Sequence, residues 1–133
     1  MKTFIVPILS IQPTQLFINE QKLTDIQNII REKRFVMEPI PIKVINGKYC
    51  FVDGHTRAYA LYQSGIREIT VYEELDTLDW HLYEHCIEWC ANENITSIAD
   101  FHERIIPKDT YETIWIARCG QLQKEHGASL RSN

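Results

Sequence analysis

A strand-like run passes through a glycine turn directly into a helix at Phe51-Val52-Asp53-Gly54-His55-Thr56-Arg57-Ala58. Such a junction directs unpaired backbone N–H groups and the positive end of a helix dipole at one point, which is how helix N-termini bind anions. Gly54 permits a sharp turn and the close approach of a phosphate. Arg57 can donate two parallel hydrogen bonds to phosphate oxygens. The segment therefore predicts a phosphate-binding turn.

Three further side chains of this turn add chemistry. His55 can donate a hydrogen bond or transfer a proton, and Thr56 can cap the helix or donate its hydroxyl to a phosphate. Asp53 ends a strand and can hold Mg²⁺ or accept a proton from a substrate hydroxyl. The predicted roles are phosphate binding for Gly54, His55, Thr56 and Arg57, catalysis for Asp53 and His55, and metal binding for Asp53. In the alternative, this is an ordinary turn in which Asp53 caps the helix and Arg57 pairs with a surface acid.

The elements around the turn follow from hydrophobic periodicity and turn residues. Residues 20–34 repeat apolar side chains at helical spacing and end in a basic turn at residues 31–34. Asn46-Gly47 is a strong hairpin signal, because both central residues of a type I′ turn take positive φ. Gly65 is expected to end a helix that starts at about His55. The predicted order is strand 3–9, helix 20–34, strand 40–45, strand 49–52, helix 55–64 and strand 68–72.

The second half of the chain is predicted to be helical. One helix opens between Asp76 and Trp80 and lasts to Asn92, and residues 97–100 form a capping box before a short helix. Asp109 is expected to cap a last helix whose apolar side is Tyr111, Ile114, Trp115 and Leu122. The expected organisation is an α/β (α+β) core at residues 1–75, a helical extension packed on it at residues 76–127, and a flexible tail at residues 128–133.

The composition of the chain disfavours several classes of function. The 133 residues carry a net charge of −4, whereas proteins that grip the DNA backbone usually carry a basic excess. DNA is therefore not expected as a direct ligand. No apolar run in the sequence reaches membrane-spanning length, and residues 1–9 resemble a first strand more than a signal peptide. Four cysteines without a secretory signal favour a reducing, cytoplasmic location.

Two other clusters carry reactive side chains. His81, His85, Cys86 and Cys90 share one predicted helix, but their two pairs point about 100° apart on a helical wheel. One straight helix cannot surround a zinc ion, so an apolar stripe with buried thiols is favoured over a metal site. The acids at residues 73–79 are interpreted as a solvated loop with helix-capping carboxylates. Alternatively, one of them holds the metal of a bound nucleotide.

Residues 51–61, followed by Ser64-Gly65-Ile66, resemble the signature of the ParB/sulfiredoxin-like superfamily. Ile11-Gln12-Pro13-Thr14-Gln15 is similar to the short proline segment after the first strand of these proteins. Ile40-Pro41-Ile42-Lys43-Val44 is similar to the strand before their motif. The resemblance covers about residues 3–72, and its one specific element is Asp-Gly-His-x-Arg. It implies a small mixed sheet with helices, and a nucleotide whose phosphates bind at the Gly-x-x-Arg turn.

Members of the superfamily differ within this turn. Sulfiredoxins have Gly-Cys-His-Arg with a reactive cysteine, where this chain has His55, so the resemblance does not imply sulfiredoxin chemistry. The partition proteins have Gly-Glu-Arg-Arg, of which Gly54 and Arg57 remain. The free-serine kinases have Asp-Gly-His-His-Arg, which differs here at Thr56 and is the nearest pattern. In those kinases a glutamate near the proline segment is the base, whereas this chain has Gln15, which cannot accept a proton.

Two functional hypotheses result. In the first, the chain binds ATP or CTP with Mg²⁺ and transfers a phosphoryl group to a small hydroxyl compound, or hydrolyses the nucleotide, by positioning and charge stabilisation. In the second, the same pocket senses a nucleotide without catalysis or docks a DNA-associated partner. Gln15 favours the second, and the intact Asp53-Gly54-His55 favours the first. A homodimer is compatible with both, and the acidic charge disfavours a partition-type DNA-binding protein or nuclease.

Overall fold

The computed structural model of the chain describes residues 2–32 and 38–127. The predicted end of the first helix at residues 33–34 and the predicted tail at residues 128–133 lie outside the described residues. The strands are β1 Thr3–Pro7, β2 Ile18–Asn19, β3 Ile40–Ile45, β4 Lys48–Phe51, β5 Glu68–Glu73 and β6 Ile105–Ile106. The helices are α1 Glu20–Arg31, α2 His55–Gln63, α3 Trp80–Asn92, α4 Lys108–Tyr111 and α5 Ala117–His126. None of these helices is long and apolar enough to cross a bilayer.

Four strands form one mixed sheet in the order β1-β5-β3-β4. β1 is antiparallel to β5 and β3 is antiparallel to β4, whereas β3 and β5 are parallel, with Ile40 opposite Val71. Parallel neighbours need a crossover connection, and here the chain returns from β3 to β5 through β4 and α2. The α+β architecture predicted from the sequence is confirmed.

The local turn signals produce the expected backbone. Asn46 and Gly47 both have positive φ, 53° and 78°, as the type I′ hairpin between β3 and β4 requires. Gly65, with φ of 100°, ends α2. Asn19 caps α1 by accepting hydrogen bonds from the backbone N–H groups of Gln21 (3.0 Å) and Lys22 (3.3 Å). These boundaries follow from residues within a few positions of each turn.

The proline segment between β1 and β2 is part of the core. Gln12 forms an isolated parallel bridge with Cys50, because its N–H donates to the Tyr49 carbonyl and its own carbonyl accepts from the Phe51 N–H. The Gln12 side chain donates to the Ile95 carbonyl at 2.9 Å, which connects this segment to the C-terminal half. A buried loop must pair its polar groups, and these contacts do so beside the functional turn.

The C-terminal half confirms the positions of most predicted helices. Asp79 caps α3, accepting from the His81 N–H at 3.0 Å, and Ser97 with Asp100 forms the predicted capping box. The short helix that this box opens is a 3₁₀ turn, Ile98–Phe101. The two-residue strand β6 pairs in parallel with β2, which the sequence did not predict.

Three predicted details are wrong. The first strand ends at Pro7 and is followed by a 3₁₀ turn, Ile8–Ser10, so it does not extend to residue 9. Asp109 does not cap α4, because the helix begins one residue earlier and Pro107 is its N-cap. Ile114 is 46% exposed, since a π-helical turn, Glu112–Ile116, lies between α4 and α5. Its wider i→i+5 spacing rotates the apolar side away from the regular helical pattern.

One hydrophobic cluster spans both halves of the chain. It joins residues of the sheet and α2 to residues of α3, the 3₁₀ turn and α5, including Phe51, Leu82, Phe101, Trp115 and Leu122. A second, smaller cluster of Ile45, Cys50, Val52 and Tyr83 lies where α3 covers the β3–β4 hairpin. The division of the chain into a core at residues 1–75 and a helical extension at residues 76–127 remains a prediction.

Candidate functional site

The glycine turn connects the end of β4 to the start of α2 at one edge of the sheet. The Val52 N–H donates to the Pro41 carbonyl at 3.1 Å, which fixes the end of β4 beside β3. The Asp53 carboxylate accepts the Gly54 N–H at 2.7 Å. Gly54 then takes a left-handed conformation, φ 83° and ψ 18°, as the N-cap residue of α2. The alternative in which Asp53 caps the helix is therefore wrong, because no side chain caps α2 within the described part of the chain.

The space at Gly54 is as restrictive as its backbone conformation. A Cβ at this position would lie 3.2 Å from Cγ2 of Ile40 and 3.5 Å from Nη2 of Arg57. Residues other than glycine rarely adopt positive φ. Both the conformation and the packing thus require glycine.

A cavity of about 270 Å³ opens at this first turn. Its lining residues come from α1, β3 and the glycine turn with α2, and they are Lys22, Ile26, Pro41, Asp53, Gly54, Thr56 and Arg57. Four of the five predicted site residues therefore lie around one space. The volume is slightly below the range of pockets that enclose whole small ligands, about 300–1,000 Å³. It suits the phosphate part of a ligand whose remainder extends outside.

Arg57 places a cation at this cavity. Burial lowers the pKa of its guanidinium, and the neighbouring charges of Glu38 and Asp53 oppose that effect. A guanidinium stays protonated at physiological pH. Its Nη2 donates a long hydrogen bond of 3.5 Å to the Pro39 carbonyl. A half-buried arginine with so weak a contact keeps donor capacity for an anion in the cavity.

His55 has a different environment from the other residues of the turn. It is fully buried, and its Nε2 lies 2.9 Å from the Thr14 backbone N–H, which donates to it. The ring packs between Phe51, at 5.0 Å, and Phe101, at 6.4 Å between centroids. Since a backbone N–H can only donate, Nε2 is an acceptor and the neutral ring carries its proton on Nδ1. His55 connects the proline segment to the turn and does not line the cavity.

Gln15 stands near the position of the base in the kinase-type pattern, and Glu20 is the nearest carboxylate to it in the sequence. Gln15 is fully buried, and its amide donates to the Phe17 carbonyl at 2.9 Å. Glu20 is exposed at the start of α1, and neither residue lines the cavity. Asp53 is the one carboxylate among the lining residues of this cavity.

The histidine and cysteine cluster does not assemble a metal site. Among the described residues, no group of three or more His, Cys, Asp or Glu side chains is placed to hold a metal ion. Cys86 and Cys90 are buried in the core, whereas His81 is exposed. Burial raises the pKa of the Cys86 thiol and raises that of Cys90 to about 12. Both thiols stay protonated and behave as small apolar groups.

Three cavity residues, Lys22, Ile26 and Pro41, were not predicted as site residues, and Lys22 is the charged one. It lies on α1, and the packing of α1 against α2 brings it beside Arg57. One signal was available, because Lys22 is four residues before Ile26 and such pairs share a helix face. The Lys22 side chain is exposed, so this spacing does not distinguish it from other surface lysines.

Comparisons with known proteins concern the fold. No protein-family model matches the sequence, and no curated protein matches it significantly. The crystal structure of protein Atu1540 from Agrobacterium tumefaciens is similar over 100% of this chain and 74% of its own, with 13% identity and a TM-score of 0.57. At such identity the likeness shows the fold alone.

Two further structures have lower scores. Sulfiredoxin from Arabidopsis thaliana matches 65% of this chain and 98% of its own, with 19% identity and a TM-score of 0.48. The C-terminally truncated chromosome-partitioning protein ParB from Caulobacter crescentus, complexed with CTP-γ-S, matches 97% of this chain and 67% of its own, with 20% identity and a TM-score of 0.48. The nearness to kinase-type members remains a prediction from the Asp-Gly-His-x-Arg residues. The four-stranded mixed sheet and the strand–glycine turn–helix unit agree with what the sequence resemblance to the ParB/sulfiredoxin-like superfamily implies, and the fold is shared with protein Atu1540.

Proposed function

We propose that this chain binds a nucleotide, with its phosphates in the 270 Å³ cavity at the first turn of α2. The observation that carries the proposal is the convergence of two cations, Lys22 and Arg57, with the N-terminus of α2. Each element alone is common. Together they supply charge, backbone donors and a dipole to one space.

Asp53 gives this cavity a second chemical component. A carboxylate next to two cations would repel a bare phosphate, but Asp53 could hold a Mg²⁺ ion, which would neutralise phosphate charge. We therefore propose ATP or CTP with Mg²⁺ as the ligand. The Asp53 carboxylate also accepts the Gly54 N–H at 2.7 Å, which orients one of its oxygens. Metal binding through the other oxygen leaves this hydrogen bond intact.

Nucleotide sensing is the form of this function that the geometry supports best. Phosphoryl transfer to a small hydroxyl compound needs a group that positions and deprotonates the acceptor. Gln15 is buried in the core, and the Nε2 of His55 is already an acceptor for the Thr14 N–H. Asp53 is then the candidate for both metal and acceptor chemistry. Phosphotransfer is the second candidate, favoured by the presence of this carboxylate beside Arg57.

Isothermal calorimetry with ATP and CTP, with and without Mg²⁺, tests the proposal. Arg57→Ala removes one charge-assisted phosphate contact and should weaken binding by about 1.5–3 kcal/mol, roughly ten- to a hundredfold. Lys22→Ala should weaken it by a smaller factor, because a lysine acts as a point charge without the paired donors of arginine. Asp53→Asn should remove the dependence on Mg²⁺.

Matched control variants separate the site from general charge effects. Arg67→Ala and Lys124→Ala remove exposed cations outside the cavity and should leave nucleotide affinity unchanged. Equal losses in the site and control variants would show nonspecific attraction and contradict the proposal. A folded wild-type chain that binds neither nucleotide would also contradict it. If binding is confirmed, release of inorganic phosphate or transfer to serine-like acceptors distinguishes an enzyme from a sensor.

A further inference from the structure

A second and larger cavity shares no lining residue with the phosphate cavity. It measures about 780 Å³, within the size range of small-ligand sites. Its lining comes from the beginning of β1, the beginning of β4 and the end of β5 with the residues that follow. These residues are Lys2, Phe4, Tyr49, Tyr72, Glu73, Glu74 and Leu75.

Aromatic rings form the walls of this cavity. Phe4 and Tyr49 lie on β1 and β4, the two outer strands of the sheet, yet their ring centroids are 5.9 Å apart at an interplanar angle of 50°. Tyr72 adds a third ring from β5. At the mouth, Leu75 is 84% exposed. The faces of aromatic rings carry partial negative charge and attract cations, and an exposed leucine can cover the apolar stem of a long cationic side chain.

Carboxylates occur at the same place. Glu73 is largely exposed, with one oxygen 3.2 Å from the Nζ of Lys43, whereas Glu74 is buried and also lines the cavity. Asp76 follows them, and its N–H donates to the Glu74 carboxylate at 3.4 Å. Two of these carboxylates, Glu73 and Glu74, line the cavity together with Lys2, and Lys43 pairs with Glu73. The exposed carboxylate of Glu73 can also pair with a positively charged group of a ligand.

We propose that this cavity binds an organic cation, an ammonium or guanidinium group, between the aromatic walls and the exposed carboxylate of Glu73. A guanidinium is the best match, because its planar group stacks on tyrosine and pairs with a carboxylate at the same time. The group is part of a free amine or of a lysine or arginine side chain in a peptide. The acidic stretch after β5 then has a binding role that does not involve the nucleotide.

Nuclear magnetic resonance titration of the ¹⁵N-labelled full chain tests this site. The probes are spermidine as a free amine, the blocked tripeptide Ala-Arg-Ala as a peptide, and Ala-citrulline-Ala as its neutral analogue. Spermidine and the arginine peptide should both shift the signals of Tyr49, Tyr72 and Leu75. The probe that binds more tightly shows whether the natural ligand is a free amine or a peptide side chain. The citrulline peptide should not bind. Loss of one ring in Tyr49→Leu should weaken cation binding about two- to thirtyfold.

A second variant and a control keep the proposal testable even if Tyr49→Leu does not fold. Glu73→Gln changes an exposed side chain and should also weaken binding, whereas Glu125→Gln, on α5 and outside the cavity, should not. Equal binding of the arginine and citrulline peptides, or no binding of either cation by the folded chain, would overturn the proposal. Unchanged affinity in both Tyr49→Leu and Glu73→Gln would overturn it as well.

Discussion

Replacing Gly54 by alanine tests the physical basis of the phosphate turn. The residue has φ of 83°, and a left-handed conformation costs an L-residue about 1–2 kcal/mol. The new Cβ would also lie 3.2 Å from Cγ2 of Ile40, a fully packed side chain. Adding the low end of the overpacking range, we expect Gly54→Ala to lower the free energy of unfolding by about 2–3 kcal/mol. Urea denaturation followed by circular dichroism measures this difference.

Two other glycines provide matched controls for Gly54→Ala. Gly65 has φ of 100°, and a Cβ added there would meet no atom within 4 Å, so Gly65→Ala should show the backbone cost alone. Gly120 lies inside α5 with open space around it, and Gly120→Ala should stabilise the chain by about 0.5–1 kcal/mol. If Gly54→Ala were no more destabilising than Gly65→Ala, the close approach of Ile40 would not matter. A Gly54→Ala variant as stable as the wild type would refute the reasoning entirely.

Three further predictions concern the core. His55→Ala should destabilise the chain by about 3 kcal/mol or more, because it leaves the buried Thr14 N–H without its acceptor and opens a cavity; chemical denaturation measures it. Leu82→Ala should cost about 2–5 kcal/mol, whereas Leu75→Ala, at an exposed site, should change stability by less than about 0.5 kcal/mol in the same assay. Burial raises the pKa of the Cys50 thiol to about 11, whereas a cysteine in an unfolded chain has a pKa of about 8.5. Between these pH values the thiol ionises in the unfolded chain only, so the free energy of unfolding should fall as the pH rises. Denaturation midpoints at pH 8, 9.5 and 10.5 test this, and Cys50→Ala should reduce the slope.

Features encoded by neighbouring residues were predictable from the sequence. The Asn46-Gly47 hairpin, the end of α2 at Gly65 and the capping box at Ser97 each depend on a few adjacent positions. One cavity also brings together neighbouring residues that the sequence predicted, because a single strand–turn–helix unit holds Asp53, Gly54, Thr56 and Arg57. Their role in binding a nucleotide stays a prediction.

Features that depend on distant contacts were not predictable in this way. Lys22 joins the cavity because α1 packs on α2, and the strand β6 exists only because it pairs with β2. His55 occupies the core because the proline segment folds over it and Thr14 donates to its ring. The sequence pattern around His55 is that of a site residue. Its burial depends on a contact with a residue that is 41 positions away.

The most direct test of the phosphate-binding turn is a ¹H–¹⁵N spectrum of the full chain during titration with ATP or CTP and Mg²⁺. Phosphate oxygens that accept hydrogen bonds from the first turn of α2 would shift those amide signals more than any others. The account predicts the largest changes at the amides of Thr56 and Arg57, with saturation at one ligand per chain and loss of the effect in Arg57→Ala. Shifts that centre on another surface, or persist unchanged in Arg57→Ala, would contradict it.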